Sequence, residues 1–132
     1  PLWYLEAVGL YVSVLNQCTY CTDHHTHAGG LAYPGEPEAW SAMEDALLND
    51  RTDDVFKGKE LALLGYARNL TLDPASLTAA SIDALREAGA SDGEILEVNQ
   101  VAGYFAYANR VVLGLGVTLD GEVRAEQTEI LF

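Results

Sequence analysis

Ser91-Asp92-Gly93-Glu94-Ile95-Leu96-Glu97-Val98-Asn99-Gln100-Val101-Ala102-Gly103-Tyr104-Phe105-Ala106-Tyr107-Ala108-Asn109-Arg110-Val111-Val112-Leu113 is the stretch on which the fold class turns. Ser91 followed three residues later by Glu94 is a capping box, in which each side chain satisfies a backbone N–H at the start of a helix. Behind it, Ile95, Val98, Val101, Ala102, Phe105 and Asn109 fall on one stripe of a helix. The spacing predicts a helix from Asp92 to about Leu113, ended by Gly114 and Gly116. Asn109 is the polar member of that stripe, which predicts a buried hydrogen bond.

The same period runs through the rest of the chain. Thr78 opens a short helix that ends at Gly89, and Asp73-Pro74 marks a turn within Leu70–Ser76. Phe56 to Leu70 reads as an amphipathic helix with Leu63, Tyr66, Ala67 and Leu70 in register, after a polar connection from Asn49 to Asp54. Ala39 to Leu48 is helical, with Trp40, Met43 and Leu47 on one face. Pro37 suits its first position, at the end of a Tyr33–Glu38 loop. Cys18 to about Leu31 is polar and His-rich but helix-compatible, ended by Gly29 and Gly30. Trp3 to Leu15 carries Leu5, Val8, Gly9, Val12 and Leu15 at helical spacing, and Asn16 or Gln17 breaks that helix and caps the next. Val117 to Phe132 has no strong helical period and reads as an extended tail. The expected fold is all-α, a bundle of about six helices in one domain over residues 1–132. Pro1 already opens inside a helical pattern, so an upstream segment is expected to be lacking.

Seven Lys and Arg against twenty Asp and Glu give a net charge of −13. Nucleic acid and anionic membranes bind through clustered basic residues, so neither is an expected partner. No run approaches the ~18 apolar residues of a membrane span, and no secretory signal opens the chain, which predicts a cytoplasmic protein. The only two cysteines, Cys18 and Cys21, would close almost no loop. They point to chemistry or metal rather than to a structural staple.

Cys18-Thr19-Tyr20-Cys21-Thr22-Asp23-His24-His25 carries that chemistry. On a helix the steps of three and four from Cys18 to Cys21 to His25 put all three on one face. Cys18 would lie in the first turn, where free N–H groups and the helix dipole stabilise a thiolate. His25 is placed to exchange a proton with Cys21, as a thiol nucleophile requires. Glu6, twelve residues before Cys18, would approach His25 and orient it if the first two helices pack antiparallel.

Glu6, Cys18-x-x-Cys21 and His25 at these separations resemble the AhpD-like branch of the carboxymuconolactone decarboxylase superfamily, and most closely its peroxidase-related enzymes. Leu61–Ala67, Leu70–Pro74 and the Ser91–Gly116 helix, with Gly103-Tyr104-Phe105 and Asn109-Arg110, extend the resemblance to about Asp120. It implies an all-helical homo-oligomer, a trimer or hexamer. The implied activity is thiol-based reduction of peroxide or disulfide without haem or flavin, supported by an external dithiol reductant. By position Cys21 matches the thiol activated through His25 and Glu6, and Cys18 its more exposed resolving partner. One departure stands out: AhpD carries a His just before the second Cys, where this chain has Tyr20.

Other readings compete. Two Cys with His24, His25 or His27 could ligate zinc, but one short helix wraps poorly around a tetrahedral ion. A redox-sensing or zinc-binding module without turnover is the alternative from another class, and a decarboxylase-like enzyme is a third. Covalent c-type haem needs His directly after the second Cys, where Thr22 stands. His24 and His27 lie off the Cys face.

Overall fold

The computed structural model describes residues 1–120, and the tail expected beyond Asp120 lies outside them. It is all-helical: α1 (Leu2–Leu15), α2 (Thr19–Ala32), α3 (Pro37–Leu48), α4 (Gly58–Leu72), α5 (Ala79–Glu87) and α6 (Asp92–Leu115). Among the described residues there is no strand, and no helix is long and apolar enough to cross a membrane. α1 is the centre of the bundle: Ala7, Val8, Leu10 and Val12 are fully buried, with α2, α3, α4 and α6 packed around it. The remaining core comes from one face of each neighbour, including Leu47 of α3, Leu64 and Ala67 of α4, and Val98 and Ala102 of α6.

Helix ends follow local chemistry. The capping box at α6 is formed as the sequence predicts. Glu94 N donates to Ser91 Oγ (3.1 Å), and Ser91 N donates to the Glu94 carboxylate (2.8 Å). Thr78 caps α5 with Ser81 in the same way. Pro37 is the first residue of α3. Two expected connections contain short 3-10 turns, Thr52–Asp54 and Pro74–Ser76. α4 starts at Gly58 rather than at Phe56. Phe56 precedes it and is 2% exposed, so its side chain joins the core from the loop.

Gly29 and Gly30 do not end α2, contrary to the sequence reading. The helix runs on to Ala32 and stops where Pro34 forces Tyr33 into an extended conformation. Gly29 is a packing residue instead. A Cβ built on it would lie 2.2 Å from the Trp40 ring, which therefore seats directly on the α2 backbone.

Candidate dithiol site

The corner between α1 and α2 places the cysteines. α1 ends in a Schellman motif: Cys18 N–H donates to Ser13 O (2.9 Å) and Gln17 N–H donates to Val14 O (3.0 Å). Gln17 takes the left-handed conformation (φ 58°) that the motif needs and that usually belongs to glycine. The same residue that completes this motif, Cys18, is the N-cap of α2. Cys18 therefore stands one position before the first turn, not inside it, and Asn16 and Gln17 do not cap α2. Its carbonyl accepts the Thr22 N–H at 2.9 Å, the first bond of the new helix.

Cys18 and Cys21 are joined in a disulfide, with Cα atoms 5.3 Å apart. Their exposures are 1% and 0%, so within one chain both sulfurs are covered. Val112 of α6 and Tyr20 pack against the pair, and the Tyr20 ring rests on His24 (centroids 4.5 Å apart). A groove of about 330 Å³ lies beside it, with Cys18, Thr19 and Tyr20 on one wall and Val112, Leu113 and Val117 on the other. Cys18 lines this groove and Cys21 does not.

The tight corner folds α2 back along α1, which brings Glu6 to His25. His25 Nδ1 lies 2.7 Å from Glu6 Oε2; the histidine is wholly buried and the Glu6 side chain 14% exposed. A carboxylate can only accept, so Nδ1 is the donor, and in the neutral ring Nε2 is left with the lone pair. Nε2 is buried and has no hydrogen-bond partner among the described residues. The ring is fixed on two further sides. Phe105 of α6 meets it edge-on (centroids 4.3 Å, planes at 76°), and a Cβ at Gly9 would fall 2.9 Å from its Cε1. Gly9 is thus a close-approach position. The sequence placed Gly9 and Phe105 on apolar helix faces without linking either to the histidine. A glycine inside an apolar helical stripe was the available signal for Gly9.

Asn109, the polar member of the α6 stripe, is fully buried. Its Nδ2 donates to Ser13 Oγ and its Oδ1 accepts from Asn16 Nδ2, both at 3.0 Å. The buried hydrogen bond expected of it is therefore two bonds, and both go to the end of α1. Ser13 and Asn16 carried no sequence signal for this role. Among the described residues, no cluster of three or more His, Cys, Asp or Glu side chains is arranged to hold a metal ion.

Fold and site define an all-helical protein with a buried Cys-x-x-Cys disulfide beside a carboxylate-oriented histidine. The chain shares its fold with an uncharacterized peroxidase-related protein from Silicibacter sp. TM1040, at a TM-score of 0.79 and 22% identity over 89% of this chain. The match spans only 59% of that longer protein. No protein-family model matches the sequence, and no curated protein matches it.

Proposed function

We propose that this protein is an oxidoreductase of AhpD type that reduces a peroxide or disulfide with the Cys18–Cys21 dithiol. One observation carries the reading. His25, one helical turn beyond Cys21, has Nδ1 bound to Glu6 at 2.7 Å while Nε2 is buried and has no partner among the described residues. A ring oriented through Nδ1, with Nε2 buried on the helix that carries Cys21, is what a proton acceptor for a neighbouring thiol requires. The peroxidase-related name of the structural neighbour agrees with this at the level of fold.

In the mechanism, His25 Nε2 withdraws the Cys21 thiol proton, with Glu6 holding the ring and balancing the imidazolium charge. The Cys21 thiolate attacks the peroxide O–O bond. The distal fragment leaves as an alcohol or water after taking that proton from His25, and Cys21 becomes a sulfenic acid. The Cys18 thiol then displaces water from it to form the disulfide. An external dithiol restores both thiols and is itself oxidised to a disulfide. No haem or flavin is needed for these steps. Tyr20 supplies a phenol rather than an imidazole between the cysteines, so the relay rests on His25 and Glu6 alone.

Leu96, Tyr104 and Tyr107 of α6 are all about half exposed or more, which supports self-association into the trimer or hexamer that the resemblance implies. The test is peroxide consumption by the purified chain with a dithiol such as dithiothreitol. Cys21→Ser should abolish it, and Glu6→Gln should reduce it by about 10²-fold, within the range one general base contributes. Unchanged turnover in Cys21→Ser would sink the proposal.

A further inference from the structure

The corner that presents Cys18 is tied to α6. Cys18 is the N-cap of α2: its carbonyl joins the helix, and its N–H belongs to the corner that precedes it. Its N–H is held by the carbonyl of Ser13, whose hydroxyl accepts from Asn109. The side chain of Asn16, two residues before Cys18, donates to the same Asn109 amide. One buried side chain therefore grips the Schellman turn at two points, Ser13 and Asn16, and Val112, three residues further along α6, packs on the disulfide itself.

We propose that Asn109 is a positioning residue that keeps Cys18 within bonding reach of Cys21 in the reduced as well as the oxidised state. This rests on the thiol-redox reading above and deepens it. The relevant equilibrium is disulfide exchange: the two thiols of Cys18 and Cys21 reduce an external disulfide to two thiols and become a disulfide themselves. Its constant measures how concentrated one cysteine is against the other. A corner released from α6 lets Cys18 wander when reduced, lowers that constant and makes the pair more oxidising.

The experiment equilibrates the full-length chain in glutathione redox buffers and counts free thiols by alkylation and intact-mass measurement. Asn109→Leu should lower the oxidation constant about tenfold, which is about 30 mV toward positive potential for a two-electron couple. Ser13→Ala and Asn16→Ala, each cutting one arm, should shift it in the same direction by less. Tyr66→Phe is the control. It removes the hydroxyl that accepts from Asn99 Nδ2 (2.7 Å), a similar α4–α6 bond about 20 Å along α6 from Val112. It should reduce stability and leave the potential unmoved.

A potential unchanged in Asn109→Leu, or shifted equally in Tyr66→Phe, overturns the assignment. If Asn109→Leu does not fold, Asn16→Ala decides alone, since it trims a partly exposed side chain. The readout needs no peroxide turnover. A chain that forms the disulfide and shows the shift but turns over neither peroxide nor disulfide would refute the proposed enzyme and leave the role of Asn109 standing.

Discussion

Gly9→Ala is the most searching single perturbation of the candidate site, because two effects of known sign oppose each other. In a helix interior, alanine is favoured over glycine by up to about 1 kcal/mol. On that ground alone the variant should be more stable. The added Cβ, however, would lie 2.9 Å from His25 Cε1, 3.0 Å from its Nδ1 and 3.0 Å from Phe105 Cδ2. Comfortable carbon–carbon contact begins near 3.5 Å, so the ring has to retreat by about 0.6 Å. His25 is fully enclosed and Phe105 blocks another side, so the strain of about 1–3 kcal/mol that accompanies overpacking is not relieved for free. The retreat also exceeds the slack in the Nδ1–Oε2 bond, which is 2.7 Å now against an outer limit of about 3.2 Å. The net expectation is a urea midpoint equal to or below that of the parent, with dithiol-dependent peroxide consumption reduced by about 10²-fold, the scale of a misplaced catalytic group. Thiol titration of the unfolded variant should still find two cysteines. A Gly9→Ala protein that gains about 1 kcal/mol and keeps its rate would show that nothing presses on this position, and the reasoning about the histidine pocket would fall.

Other expectations follow from the same geometry. Gly29→Ala places a methyl 2.2 Å from the Trp40 ring and should cost at least 2 or ~3 kcal/mol in chemical unfolding, whereas Gly30→Ala meets that ring at an ordinary 3.4 Å and should be neutral or stabilising. Gln17→Gly relieves a left-handed backbone and breaks no side-chain hydrogen bond among the described residues, and a gain of about 0.5–1 kcal/mol in unfolding free energy is expected; a loss would contradict it. Asp50, also left-handed, should behave oppositely. Hydrogen bonds from Arg68 and from the Tyr11 hydroxyl hold its carboxyl below the usual Asp range. A lowered folded value means that this stabilisation is complete above the unfolded Asp value of about 3.9 and is lost as pH falls through the lower folded value. The difference in urea midpoint between the parent and Asp50→Asn should therefore be largest at neutral pH and shrink toward pH 3. It should stay under about 1 kcal/mol, because the Asp50 side chain is 42% exposed.

The fold was legible where one residue's chemistry decides a local event. Ser91 with Glu94, Pro37 and the three-four spacing from Ile95 to Asn109 each act through near neighbours, and each stands in the structure where the pattern puts it. Gly29 shows the limit. Glycine is the usual residue beyond a helix end, so Gly29-Gly30 reads as a stop. What selects glycine here is the indole of Trp40, eleven positions away in another helix, and no local window contains that contact. Gln17 and Asp50 fail in the other direction. Both occupy left-handed positions that glycine would announce, so the two Schellman corners they close were invisible to a search for glycines.

The site divides along the same line, and the division has a consequence for how it works. Cys18, Cys21 and His25 are legible because one helix fixes their spacing, and Glu6 because a tight corner folds its helix back on theirs. What the spacing omits is the frame: Gly9 and Phe105 against the histidine, Ser13 and Asn16 at the corner, Asn109 and Val112 from α6. None of these is a reactive group, and each lies outside α2. A cysteine pair on an isolated α2 would keep the order of its residues but lose the orientation of the imidazole, the burial of Nε2 and the restraint on Cys18. Sequence motifs name the atoms that change their bonds. Under the proposed mechanism the rate and potential at which they do so would depend on α1 and α6, so substitutions far from Cys-x-x-Cys in the chain should tune this dithiol as strongly as many of those within it.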